Sequence, residues 1–211
     1  MLPGPNIVIA CPLCGALAKY GTLLSGNTFG ARIWSDGKQV APMLPERPQF
    51  VQCHTCHEVY ALSDAKELGE VPLGTNAANP EWDSAPFVAE PDEASYYNAI
   101  AKSDANDADR HRNLRHLAWW RHNDPFRGDQ GDVSPAVSED PPWRENAESL
   151  LALLGDELND QFMRVELLRQ LGRHAEARTR LDSIEGPAEV KRALRALCES
   201  GDTQVRELKF Q

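Results

Sequence analysis

Up to about residue 62 the apolar positions fall in short β-branched runs, and from about residue 92 they recur at helical spacing. The chain therefore changes class along its length. Ile7-Val8-Ile9-Ala10 and Gln49-Phe50-Val51-Gln52 are strand-like, and extended patterns return at 18–23 and 58–62. Ser25-Gly26-Asn27 and Ser35-Asp36-Gly37-Lys38 are turn signals on either side of a strand-like Gly30-Ala31-Arg32-Ile33-Trp34.

Residues 64–91 lose periodicity and gain Pro, Gly, Asn and acidic side chains, which predicts a linker laid on a neighbouring surface by Trp82, Phe87 and Val88. Pro91-Asp92-Glu93 then opens a helix to about Lys102, and Ser103–Asp107 supplies a break and a fresh cap. The next helix runs to about His122, with Ala108, His111, Leu114, Leu117, Ala118 and Arg121 expected on its buried stripe. Asn123-Asp124-Pro125 ends it. A loop is expected over 128–142. Three leucine-rich helices follow, the first ending at Gly155 and the second at Gly172, with a fourth from Pro187 to Glu199. The expected fold class is α+β: a β-rich part at 1–63, the linker at 64–91, and an all-α part at 92–211.

The hydrophobic fraction of 41% and charged fraction of 26% are those of an ordinary folded chain. No run approaches the roughly 18 apolar residues of a membrane helix. The opening Met1–Ala10 lacks the basic flank and apolar length of a secretory signal, so a cytoplasmic location is expected. The net charge of -10 is uneven: residues 61–159 carry eight basic against twenty acidic side chains. Duplex binding needs dense Lys and Arg to neutralise phosphates, and no such stripe exists.

Cys11-Pro-Leu-Cys14 and Cys53-His-Thr-Cys56 are paired knuckles, each able to aim two sulfurs at one ion. Together Cys11, Cys14, Cys53 and Cys56 make a closed four-thiolate shell for one Zn2+, structural because no position remains for a reacting water. Cys53–His57 also matches a haem-attachment pattern, but haem leaves the first knuckle unexplained and needs an oxidising compartment. A redox dithiol lacks its βαβ setting. A reducing compartment argues against disulfides. His54 and His57 are read as exposed knuckle residues. Residues 6–62 resemble a zinc ribbon on these four ligand positions.

Leu167-Leu168-Arg-Gln-Leu171-Gly172-Arg-His-Ala-Glu176-Ala177-Arg-Thr-Arg-Leu181 resembles the helix-turn-helix of a tetratricopeptide repeat, over 158–185. The resemblance covers one repeat, so it implies no long peptide groove. The combination is similar to bacterial proteins that join a Cys-x-x-Cys ribbon to a helical-repeat tail. Cys198 is read as a small packed residue, and His111, His116 and His122 as surface or packing residues.

Trp119, Trp120, Arg121, Asp124 and Arg127 form the second unusual stretch. One reading makes it an interaction site, with indoles stacking and arginines gripping an anion; the other packs one Trp and pairs Asp124 with an arginine. Phosphate-loop, hydrolase-elbow, metalloprotease and dinucleotide motifs are all missing. The expectation is a non-enzymatic zinc protein acting as a protein-interaction module or adaptor. The first alternative is a nucleic-acid-associated ribbon using Lys19, Arg32, Trp34 and Lys38, and the second is a small-molecule sensor using the Trp119–Arg127 stretch.

Overall fold

The computed structural model describes residues 1–74, 79–104, 106–127 and 140–210. Residues 128–139 of the expected loop and 75–78 of the expected linker lie outside the described residues. In chain order the strands are β1 (Leu2–Ala10), β2 (Leu17–Ser25), β3 (Arg32–Trp34), β4 (Gln39–Val40), β5 (Phe50–Gln52), β6 (Val59–Ala61), β7 (Lys66–Val71) and β8 (Glu207–Leu208). The helices are α1 (Pro80–Ser84), α2 (Glu93–Lys102), α3 (Ala108–Asn123), α4 (Pro141–Leu153), α5 (Leu158–Gln170), α6 (His174–Ser183) and α7 (Ala188–Glu199). The fold class is α+β. Two compact units result: Met1–Ala31 with Val40–Ala99, and Arg32–Gln39 with the chain from Ile100 onward.

In the first unit β1 sits centrally in an antiparallel sheet of order β2-β1-β7, and β5 pairs with β6. Ile9, Ala18, Tyr20, Val51, Tyr60 and Leu62 form its core together with Cys11 and Cys53. This is a small core for a unit of its length, and the two cysteines stand where a larger protein would place more apolar bulk.

The linker expected at 64–91 is instead part of this unit. Lys66–Val71 pairs with β1 as an edge strand, and its three charged, exposed side chains (Lys66, Glu67 and Glu70) explain why no apolar pattern marks it. Downstream, Lys19 N–H donates to Pro86 O (2.8 Å), Val88 N–H to Lys19 O (2.9 Å) and Gln52 N–H to Ala89 O (2.9 Å). The backbone, more than any side chain, fixes this stretch. Trp82 lies over Gly69 and Val88 packs on the core, but Phe87 is 60% exposed and is no anchor.

In the second unit two apolar clusters meet on α5. Leu167 and Leu171 join Trp119, Trp143, Ala147 and Leu150, while Val165 and Leu168 join Ala177, Leu181, Leu194 and Cys198. Its buried residues therefore run almost round the helix. Leu171–Arg173 turns α5 into α6: Gly172 takes φ 78°, and Arg173 N–H reaches back to Leu168 O at 2.8 Å, closing a Schellman turn. The helix pair expected at 158–185 is thus present.

Two expectations are corrected here. The buried face of α3 is Leu114, Ala118, Trp119 and Asn123, rotated from the expected stripe because Trp119 and Asn123 reach internal hydrogen-bond partners. Arg32–Gln39 groups with the helices and not with the strand-rich first unit, since β3 pairs with β8.

Candidate metal centre

The two knuckles are built alike. Cys11 N–H donates to Ala16 O and Gly15 N–H to Cys11 O, each at 2.9 Å. Cys53 N–H donates to Glu58 O (3.0 Å) and His57 N–H to Cys53 O (2.9 Å) in the same way. Each turn ends on a left-handed residue, Gly15 at φ 76° and His57 at φ 58°. The β-bonded pairs β1–β2 and β5–β6 present the two turns to each other. Cys11 and Cys53 are buried, Cys56 half-buried and Cys14 exposed.

All four sulfurs lie within 4.8 Å of one another. Cys11 Sγ is 3.9 Å from Cys56 Sγ, and Cys14 Sγ is 3.6 Å from Cys53 Sγ. The edge of a tetrahedron with metal–sulfur bonds of about 2.3 Å is about 3.8 Å, so these separations suit a tetrahedral ion. A disulfide needs about 2.05 Å, and none of the cysteines is bridged. Donor type and spacing fit a metal ion such as zinc.

The amide dipoles point the same way. Thr55 N–H donates to Cys53 Sγ at 3.4 Å. Burial raises the Cys53 thiol, but hydrogen bonds from the Cys56 and Thr55 amides and from neighbouring sulfurs bring it down to about 7. At Cys56 the Glu58 amide lowers the thiol, whereas desolvation and the other three sulfurs push it up to about 12. Burial also raises Cys11. Four sulfurs so close hold four negative charges only around a cation, so the cluster could hold a metal ion. His54 and His57 are exposed, and neither joins the four-cysteine cluster.

The other singled-out stretch folds inward. Trp119 is fully buried and its indole N–H donates to Gln170 Oε1 (2.7 Å). Trp120 donates to Asp36 O (3.1 Å), and Arg121 pairs with Asp124 (3.3 Å). Arg127 forks onto the Asp36 carboxylate, which also accepts from Asn123 Nδ2 at 2.8 Å, and its Nε reaches Asp124 at 2.9 Å. The Asp36 side chain is fully buried, so the stretch clamps the 35–38 turn. Lys38 adds an ion pair with Asp124 at 2.6 Å.

Sequence reasoning missed a buried polar group on α5. Glu166, Arg169 and Gln170 have no exposed surface. Arg169 donates to Glu166 Oε2 (2.8 Å), Glu166 Oε1 (2.6 Å) and Gln204 O (2.6 Å), and also to Asp202 O. Ser35 Oγ donates to Glu166 Oε1 at 2.6 Å. The one signal in the sequence is that these polar residues sit inside the leucine-rich stretch.

The residues expected to contact nucleic acid are also engaged. Lys19 Nζ donates to Asp83 O (2.7 Å) beside the Phe87 ring, Arg32 pairs with Glu207 (2.7 Å), and Trp34 is buried. Comparisons with protein-family models, curated proteins and solved structures give no match to this chain. No helix among the described residues is long and apolar enough to cross a membrane.

Proposed function

We propose that the protein is a non-enzymatic, structural-zinc protein whose ribbon serves as a protein-interaction module. The observation that carries this reading is the closed set of four cysteine sulfurs: once a zinc ion fills it, no site is left for substrate or activated water. The ion's part is then to tie together the β1–β2 and β5–β6 hairpins, whose shared core is small.

What such a frame presents is apolar. Phe29 is 85% exposed, Leu24 on the same segment and Met43 and Leu44 on a second segment are exposed too, and Asn27 N–H donates to Met43 O (3.3 Å) to join the two segments. Exposed apolar groups on a rigid support favour a protein partner. The first unit carries three basic against ten acidic side chains, which favours a basic rim on that partner over a phosphate backbone.

A photo-crosslinker at position 29 tests this. It should capture a discrete protein, and the Phe29→Asp/Leu44→Asp variant should lose that protein while keeping its metal. Capture of nucleic acid, with an affinity that collapses as salt rises, would contradict the reading.

A further inference from the structure

The second unit holds a cleft of about 500 Å³, within the size range of small-molecule sites. Its wall is mainly aromatic and aliphatic, with Trp34, Trp120, Phe162, Met163, Leu194 and Leu208 the main contributors. The part-exposed Leu158 and Phe210 stand among its lining residues and leave it open to solvent.

The polar groups at this cleft divide in two. Asp36 is consumed by Arg127 and Asn123, and Ser35 Oγ donates to Glu166 while accepting from Arg206 N–H (3.0 Å). Trp120 spends its N–H on Asp36 O. Trp34 Nε1 and His116 Nε2 differ: both atoms are buried, both residues line the cleft, and neither atom has a hydrogen-bond partner among the described residues. A buried N–H without an acceptor is costly and uncommon in a folded protein.

We propose that this cleft binds a neutral, planar aromatic small molecule carrying a hydroxyl or carbonyl oxygen. The ring lies among Trp120, Phe162 and Leu194, and the Trp34 and His116 side chains, which line the cleft through their other atoms, turn to bring the indole N–H and Nε2 to the oxygen. Neutrality follows from what the walls offer. Arg127 is bound to Asp36 and Asp124, so it has no fork left for an anion. Desolvation by burial pushes His116 down to about 4, so its ring is uncharged at neutral pH. Asp36 likewise has no free oxygen for a cation. All its lining residues belong to the second unit, and its occupancy needs no partner protein.

Calorimetric titration of the zinc-loaded full chain with 2-naphthol tests the proposal, with naphthalene and 2-naphthoate as controls. Saturable one-site binding of 2-naphthol is expected, weaker for naphthalene and weaker still for 2-naphthoate. Trp34→Phe keeps the ring and removes the N–H, and should weaken 2-naphthol about tenfold. Val190→Trp fills the cleft and should abolish binding; Leu158→Trp, at an exposed position, serves if that variant fails to fold. Unfolding midpoints confirm that each variant is folded. Absence of saturable binding, undiminished affinity in either type of variant, or tighter binding of 2-naphthoate overturns the proposal.

Discussion

Gly15 and His57 occupy equivalent places: each follows the second cysteine of its knuckle, donates its N–H to the first cysteine's carbonyl, and adopts a left-handed φ. Glycine does this without strain, whereas a side chain costs about 1–2 kcal/mol. His57→Gly should therefore stabilise the metal-loaded protein by about 0.5–1 kcal/mol after the added flexibility of the unfolded chain is subtracted. Gly15→Ala should destabilise it by about 1–2 kcal/mol. Denaturant midpoints with zinc bound check both, and equal effects at the two positions would refute the strain argument.

Asp36 and Arg127 form a buried pair with side chains 0% and 8% exposed. Removing one partner strands the other away from water. Asp36→Ala should cost about 3–5 kcal/mol, and the double change Asp36→Leu/Arg127→Met should recover a large part of that loss. Equilibrium unfolding of the three variants measures the coupling; additive losses would show that the pair does not act as a unit.

The buried Glu166–Arg169 pair makes a parallel case on α5. Glu166→Gln keeps the shape but removes the charge that faces Arg169, and should lower stability by about 3 kcal/mol or more. Because Glu166 also accepts from Ser35 and Gln170, Ser35→Ala should cost about 1 kcal/mol by itself. Thermal unfolding resolves the two, and a Glu166→Gln loss no larger than that of Ser35→Ala would contradict the assignment.

His116 supplies a pH signature. Burial depresses its folded-state pKa to about 4 against Asp36 and Asp160, which raise it, and alongside Arg112, which lowers it. The unfolded chain then binds the proton more readily between about 6.5 and 4. Stability from this group is complete above about pH 6.5 and is lost as pH falls toward 4, by about 2–3 kcal/mol. His116→Gln should flatten that part of the stability profile, and an unchanged slope would refute it.

The four-cysteine cluster and the helix pair were legible because each rests on local signals. Cysteine spacing marks the four sulfurs that come together, and Gly172 behind Leu167, Leu168 and Leu171 marks the α5–α6 turn. The rest depends on distant partners. Lys66–Val71 is charged at an edge, so nothing in its composition announces a strand. Arg32–Trp34 has a ribbon-like pattern, yet its partner is Glu207–Leu208, far along the chain. Glu166, Arg169 and Gln170 are buried because several groups satisfy one another at once, which single-residue polarity does not encode. Trp119 and Trp120 stand out in the sequence, but which indole faces the interior is set by Gln170 and Asp36.

Metal analysis of the purified protein, joined to chelation, addresses the central claim most directly. One zinc per chain is predicted, with four-thiolate tetrahedral spectra when cobalt replaces it. Cys11→Ser and Cys53→Ser should each release the ion and unfold the β1–β2 and β5–β6 hairpins, and a strong chelator should do the same to the parent protein. A metal-free protein with its ribbon intact, or hairpins that survive loss of the ion unchanged, would contradict the account.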